Sequence, residues 1–237
     1  MNIVIFTGAG ISAESGLSTF RDSDGLWENY RIEDVCTHEA IERNRELVIQ
    51  FYNQRRKSAM EAKPNAAHIA IAELEKDFRV EVITQNVDDL HERAGSKNII
   101  HLHGELMKLR SSIDETATVP IHQWEQPLDA RHPDGSLLRP YIVFFGENVP
   151  YFNEAIQSVQ RADVFVVIGT SLAVYPAASL LSYVPAHCPI YVVDPGLPCF
   201  GYYQDKVVHI QENATVGVPQ LCQQLRELYK PSDKSAI

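Results

Sequence analysis

Short runs of uninterrupted apolar sequence constrain this chain more than any other feature. Residues 2–7, 79–84, 98–102, 163–168, 189–193 and 206–210 each read as a strand without polar alternation. A strand with one wet face alternates apolar and polar residues. One without alternation is covered on both faces, as in a parallel sheet held between helical layers. Helical patterns lie between these runs: residues 150–161 place Phe152, Ile156 and Val159 on one face, and Val218, Leu221, Leu225 and Leu228 stripe a C-terminal helix. Strands alternating with helices predict an α/β fold, a doubly wound parallel (Rossmann-like) sheet. Residues 141–145 form a further strand-like run.

Two stretches interrupt the alternation. Residues 27–64 are helical and charged with no strand, and residues 107–139 are polar and irregular, with Pro120, Pro127, Pro133 and Gly135. Both read as insertions. The expected organisation is a single domain over residues 1–237 with a Rossmann-like core from about 1–27, 65–106 and 140–230 and a small module from about 28–64 and 107–139, with Trp124 as its plug. At 45% apolar and 22% charged residues, disorder is excluded for most of the length. Lys plus Arg number 21 and Asp plus Glu 31, and the net charge of -10 disfavours nucleic acid and anionic membranes as partners. No apolar run reaches the roughly 18 residues of a membrane helix. The first residues carry no basic, long apolar signal peptide. The four cysteines, Cys36, Cys188, Cys199 and Cys222, are scattered and read as small buried hydrophobes, which suits a reducing compartment, most simply the cytoplasm.

The first strand runs into Gly8-Ala9-Gly10-Ile11-Ser12-Ala13, a G-x-G-x-x-A turn at a strand-to-helix junction. Such glycines let a backbone approach a pyrophosphate, although a plain tight turn satisfies the same hexapeptide. No second strand ending in an acid follows, as a dehydrogenase would require; a polar loop with Phe20 and Arg21 follows instead and looks like a lid. Other polar clusters sit at carboxyl ends of strands, the rim where open parallel sheets bind ligands. Gln85, Asn86 and Asp88 follow residues 79–84, with a helix N-cap before Leu90 as the alternative. His101 and His103 end the next strand on one face by its period of two, and a neutral imidazole at His103 suits a general base. Gly169, Thr170 and Ser171 close the strand at 163–168 as a small polar turn fit for ribose or phosphate, or as an ordinary loop.

Together these pieces resemble the sirtuins, the NAD-dependent protein lysine deacylases. The matching motifs are Gly8-Ala-Gly-Ile-Ser-Ala-Glu-Ser-Gly16, Phe20-Arg21-Asp22, Gln85-Asn86-Val87-Asp88, His103-Gly104, Phe145-Gly146-Glu147 and Gly169-Thr170-Ser171-Leu172, spread over most of the chain. The resemblance implies NAD as co-substrate, held by Gly8, Ala9, Gly10, Ile11 and Ser12 at the pyrophosphate. Phe20 and Arg21 would belong to the mobile cofactor loop, and Trp27 would also bind the cofactor. Gln85, Asn86 and Asp88 would line the nicotinamide and ribose pocket, and Gly169, Thr170, Ser171, Asp194 and Ala214 the adenosine side. His103 and Asn86 would be catalytic, His103 as the base that activates a ribose hydroxyl. Val143, Phe144, Phe145, Gly146 and Glu147 would pair as a strand with the substrate peptide, a backbone-led recognition with little sequence demand. The implied products are nicotinamide, free lysine and O-acyl-ADP-ribose.

The helix expected over residues 39–62 carries an inward stripe of Ile41, Val48, Tyr52, Arg55 and Ala59. Tyr52 and Arg55 share one face. An Arg on an apolar stripe needs an anionic partner or water, and a snorkelling side chain answers as well. Tyr52-Asn-Gln-Arg55 resembles the Tyr-x-x-Arg signature of class III sirtuins, which implies a reader for the carboxylate of succinyl, malonyl or glutaryl lysine. Two features depart from the family. Residues 104–145 hold no cysteine where most sirtuins carry two zinc-binding pairs, so no zinc is expected. Asp194 stands where an Asn usually meets the adenosine ribose. A protein mono-ADP-ribosyltransferase and a non-catalytic NAD-binding scaffold are the rivals; Tyr52 with Arg55 argues against the first, and His103 with Asn86 against the second. Oligomeric state is not readable.

Overall fold

In chain order the elements are β1 (Asn2–Thr7), α1 (Gly10–Ala13), β2 (Leu26–Trp27), β3 (Tyr30–Arg31), α2 (Ile32–Val35), α3 (His38–Arg43), α4 (Arg45–Glu61), α5 (Ala66–Leu74), β4 (Arg79–Thr84), α6 (Leu90–Ala94), β5 (Ile99–His101), β6 (Gly104–Ser111), β7 (Thr118–Pro120), β8 (Leu138–Ile142), α7 (Phe152–Gln160), β9 (Val164–Ile168), β10 (Ile190–Val193), β11 (Val207–Ile210) and α8 (Ala214–Tyr229), with 3-10 segments at Ala177–Tyr183 and Gly201–Lys206. The computed structural model describes residues 1–19, 26–27, 30–196, 198 and 200–230, without the side chains of Leu26, Trp27 and Tyr202. Phe20 and Arg21 therefore lie outside the described residues, and for Trp27 only its place in β2 is described.

Among the described residues, six strands form one parallel sheet in the order β11-β10-β9-β1-β4-β5. They coincide with the six unbroken apolar runs. The reason is two-sided burial. Ile3, Ile5, Val80, Val82, Val164 and Val166 pack under α5 and α8, while Val4, Phe6, Ile83, Phe165 and Val167 pack under α7 and the first 3-10 segment. Each fully buried aliphatic side chain contributes about 1.5–3 kcal/mol, so both faces anchor the sheet. The chain leaves β1 toward β4 on one side and toward β9 on the other, so the switch point of the topology lies between β1 and β9. A crevice opens there beyond the carboxyl ends of the strands.

The inserted stretches are more regular than their sequence suggests. Residues 107–139 take part in an antiparallel sheet of order β7-β6-β8. A shift of register between Glu105 and Leu109 breaks the period of two in β6, which hides the strand in the sequence. Leu26–Trp27 and Tyr30–Arg31 form the short pair β2–β3 where no strand was expected. The single helix expected over 39–62 is two, α3 and α4, parted at Asn44, whose side chain accepts the Leu47 N–H at 3.2 Å as the N-cap of α4. The strand expected over 141–145 ends at Ile142.

Helix α4 joins the two inserts. Its Val48, Phe51, Tyr52 and Ala59 share a cluster with Val35, Leu106, Ile142 and Phe144. Trp124 is not a plug: it is 37% exposed, with Lys57 Nζ over its ring at 5.6 Å. The apolar centre of the insert is Leu109, Ile121 and Leu138 instead. Polar side chains tie that insert to α4. Asn53 Nδ2 donates to the Gln126 carbonyl at 3.1 Å, and Asn53 Oδ1 accepts the Gln126 N–H at 2.9 Å. Arg56, fully buried, donates from Nε to the Leu106 carbonyl at 2.6 Å and from Nη1 to Asn53 Oδ1 at 2.9 Å and the Trp124 carbonyl at 2.8 Å.

Candidate active site

The floor of the crevice is made by two turns that touch. Gly8 N–H donates to the Ile168 carbonyl at 3.0 Å, and Gly10 N–H to the Gly169 carbonyl at 2.9 Å. A Cβ on Gly10 would lie 2.6 Å from Gly169 Cα, and one on Gly8 would lie 2.8 Å from the Gly169 carbonyl oxygen. Gly169 itself has φ +59, a region costly for any residue with a Cβ. The glycines therefore let the β1 and β9 turns pass each other, a role beyond close approach of a pyrophosphate. Gly8, Ala9, Gly10 and Ser12 face the cavity, whereas Ile11 does not: its side chain is fully buried in the core beneath α5 and α8. Ser171, Thr170, Asp194 and Ala214 complete this end. Asp194 is buried and its Oδ1 accepts the Gly196 N–H at 2.9 Å. Glu14 accepts from the N–H and Oγ1 of Thr215 at 3.1 and 2.7 Å, which fixes the start of α8 beside Ala214. The bulk-free floor between Gly8 and Gly169 fits the diphosphate of a dinucleotide.

The middle of the crevice holds the β4 cluster. Asn86 Nδ2 donates to the Gly8 carbonyl at 3.1 Å and to Ser12 Oγ at 3.2 Å. Asp88 accepts from Ser12 Oγ at 3.1 Å and also from the Leu90 N–H at 3.2 Å, so it serves the helix start and the cavity together. Burial raises the Asp88 carboxyl above its ordinary range. Gln85 Nε2 donates to Thr170 Oγ1 at 2.9 Å, tying this cluster to the β9 turn.

The two histidines part company rather than share a face. His101 Nδ1 lies 3.0 Å from the Asn86 carbonyl, and Nε2 lies 2.7 Å from Glu92 Oε1. Burial works to lower its pKa, but hydrogen bonding and charge from Glu92, with the Asn86 carbonyl, raise it, as expected when both nitrogens face acceptors. His103 lines the cavity, and its Nδ1 lies 3.1 Å from the Gln85 carbonyl. A carbonyl only accepts, so Nδ1 carries the proton and Nε2 keeps the lone pair. Burial lowers its pKa, which keeps the ring neutral and able to take a proton near neutral pH.

The third part of the cavity lies under α4. Tyr52 is fully buried between Phe51 and Phe144, with ring centroids at 5.1 and 5.8 Å. Arg55 lies in the same wall, its guanidinium carbon 5.9 Å from the Phe51 ring centre. Cys36 Sγ is 3.1 Å from Tyr52 Oη. Val143, Phe144, Phe145 and Gly146 form the rim, but not as a strand. The N–H groups of Val143 and Phe145 donate inward to the His103 and Cys36 carbonyls at 3.0 and 2.8 Å. Phe144 N–H donates to Glu147 Oε2 at 2.9 Å. Glu147 lines the cavity with them and also anchors the rim: Arg139 donates to it at 2.6 and 3.2 Å and Arg110 at 3.3 Å. Burial favours its neutral form, yet Arg139 holds its pKa below the usual carboxylate range.

All three parts open into one cavity of about 380 Å³ that runs from Asp194 past Gly10 and His103 to Tyr52 and Arg55. Sequence reasoning missed Cys36 in the cavity wall and Arg56 behind it. Cys36 meets Tyr52 only in the fold, and Arg56 is one of three consecutive cations. Among the described residues, no three His, Cys, Asp or Glu side chains come together as a metal site.

In a doubly wound sheet, a cavity at the switch point beyond the strand ends, here continuing under α4 with the His103 imidazole at the junction, is where ligands such as dinucleotides bind. The Sir2 family model matches residues 8–176. The NAD-dependent protein deacylase of Aggregatibacter actinomycetemcomitans is 55% identical over 192 residues, covering 81% of this chain and 92% of that protein. A Sir2 homologue solved with NAD superposes with a TM-score of 0.86 at 39% identity, covering 96% of this chain and 90% of the other. A mutant Sir2 homologue solved with 2′-O-acetyl ADP ribose gives 0.86 at 38% identity, covering 96% and 92%. The chain belongs to the Sir2 family.

Proposed function

We propose that this chain removes acidic acyl groups (succinyl, malonyl or glutaryl) from protein lysines, and acetyl more weakly. The coarser activity follows from the family: the chain is an NAD-dependent protein deacylase with NAD as co-substrate. When bound, NAD supplies an electrophilic ribose carbon, which the acyl oxygen attacks as nicotinamide leaves. With one water consumed in releasing the lysine, the products are nicotinamide, free lysine and O-acyl-ADP-ribose.

The residues divide the work along the cavity. Gly8, Ala9, Gly10 and Ser12 hold the diphosphate, and Thr170, Ser171, Asp194 and Ala214 the adenosine side. Phe20, Arg21 and Trp27 keep the cofactor roles that the resemblance gives them. Asn86 and Asp88 are held by Ser12 and orient the nicotinamide ribose. His103 Nε2 takes the proton of a ribose hydroxyl, its tautomer set by the Gln85 carbonyl. The rim at 143–146 receives the peptide, chiefly through carbonyl oxygens, since three of its N–H groups point inward. Residues 28–64 and 107–139 act as one module that carries the acyl pocket. A reducing, cytoplasmic setting is supported by Cys36, Cys188 and Cys222, which are free buried thiols.

One observation carries the acyl preference: Tyr52 and Arg55 stand in the wall of the cavity that also contains His103. A guanidinium fork gains a charge-assisted pair with an acyl carboxylate and gains nothing from an acetyl methyl. The test is nicotinamide release from one lysine peptide in acetylated and succinylated forms, with His103→Ala as control. Preference for the succinyl form, and no sustained release beyond a single turnover by the control, is expected. Equal or better use of the acetyl form overturns the acidic preference. Nicotinamide release without deacylation overturns the activity itself.

A further inference from the structure

Tyr52 is an awkward carboxylate reader by itself. Its hydroxyl is fully buried, and a phenol that must donate to a ligand also carries lone pairs that burial leaves without water. Among the described residues, its neighbour within hydrogen-bond distance is Cys36 Sγ, at 3.1 Å. Cys36 sits between α2 and α3, is 5% exposed, and its backbone carbonyl accepts the Phe145 N–H at 2.8 Å. The sulfur is thus fixed from the rim side of the same cavity that Tyr52 and Arg55 line. Either group can be the donor in this contact; burial pushes the thiol up to about 11, so it keeps the proton that donation to Tyr52 requires.

We propose that Cys36 is a positioning residue for acyl selection: its S–H donates to Tyr52 Oη, which turns the phenolic O–H toward the carboxylate end of an acidic acyl chain beside Arg55. This rests on the acidic-acyl assignment for Tyr52 and Arg55. In this role Cys36 acts through Tyr52, its hydrogen-bond neighbour, rather than on the substrate directly. Without it the phenolic hydrogen is free to rotate, and its oxygen is left buried with no donor. A neutral hydrogen bond of about 1 kcal/mol corresponds to roughly a fivefold change in an equilibrium. The effect belongs in KM for the acidic substrate, because the contact lies at the far end of the acyl chain from the reacting atoms.

The experiment measures kcat and KM for succinyl and acetyl forms of one peptide with wild type, Cys36→Ala, Cys36→Ser, Tyr52→Phe and the Tyr52→Phe/Cys36→Ala pair. Expected is a roughly fivefold fall in the succinyl-to-acetyl kcat/KM ratio for Cys36→Ala, carried by KM. Cys36→Ser, which keeps a donor, restores the ratio. In the Tyr52→Phe background Cys36→Ala has no further effect on it. If Tyr52→Phe lowers the ratio and Cys36→Ala does not, the relay is overturned while the acidic-acyl assignment stands. If Cys36→Ala lowers it equally with and without the Tyr52 hydroxyl, Cys36 acts by packing and the relay is also overturned. If wild type shows no preference for succinyl, the assignment beneath the proposal fails and the relay fails with it.

Discussion

Replacing Arg56 by Met should destabilise the chain by about 3 kcal/mol, and the figure follows from its surroundings. Arg56 donates to three neutral acceptors, the Leu106 and Trp124 carbonyls and Asn53 Oδ1. Hydrogen bonds from a charged donor contribute about 1.5–3 kcal/mol each, so their gross worth is roughly 5–9 kcal/mol. Burial works against them: it lowers Arg56 from its ordinary 12.5 to about 10, a cost of about 3 kcal/mol. Met restores the lost volume but leaves the acceptors dry. A net loss near 3 kcal/mol translates into a melting temperature lower by about 6–12 °C for a chain of this size. Urea unfolding of both proteins gives the difference directly. A variant as stable as wild type, or more stable, would mean that the desolvation cost of the buried cation dominates, as buried ion groups sometimes do. The inserts would then be held together by their apolar contacts alone. Because Arg56 neighbours Arg55 on α4, the same variant should raise KM for acidic acyl substrates.

Gly10→Ala brings a Cβ to 2.6 Å from Gly169 Cα, where only backbone can yield, so calorimetric NAD affinity should fall at least tenfold; unchanged affinity would show that the two turns separate freely. Burial holds His68 near 4, well below its ordinary 6.5, and His91 is also lowered well below 6.5, by burial with charge from His68 and His101. Both stay neutral when folded, so the unfolded chain binds more protons below pH 6.5, and His68 alone should cost about 3 kcal/mol of stability as pH falls from 6.5 to 4. Urea titrations across that window check it, and a stability independent of pH would contradict it. The acid limb of kcat/KM should lie below pH 6.5, because His103 must be unprotonated and burial lowers its pKa; a limb above 6.5, or one unchanged in a slow His103 variant, would remove His103 as the base.

The parallel sheet was legible because two-sided burial leaves an unmistakable trace: all six apolar runs became strands. The binding rim was legible for the same reason, since the residues after β1, β4 and β9 must gather at one edge. The inserts were not. The register shift in β6 erased its alternation, and Glu105, Lys108 and Arg110 made it look like a loop. On α4, Arg55 and Arg56 both lie within one turn of Tyr52, and helical period cannot say which turns fully inward; packing chose Arg56, leaving Arg55 in the cavity wall. The Cys36–Tyr52 contact depends on how α2 and α3 fold back on α4, which no local pattern records. Trp124 misled because size suggested burial, whereas the residue is 37% exposed with its ring beneath Lys57, and its backbone carbonyl accepts from the buried Arg56. The strand expected at the rim stops at Ile142 because Glu147 draws in the Phe144 N–H.

The central claim is that Arg55 reads the carboxylate of an acidic acyl group in the cavity that His103 serves. The most direct measurement is a one-tube competition between succinylated and acetylated forms of one peptide, followed by mass spectrometry, for wild type and Arg55→Met. Wild type should favour the succinyl form. Arg55→Met should lose about 10- to 100-fold of that preference, the worth of a charge-assisted pair, while still deacetylating. A preference that survives Arg55→Met, or a wild type that favours acetyl, would contradict the account.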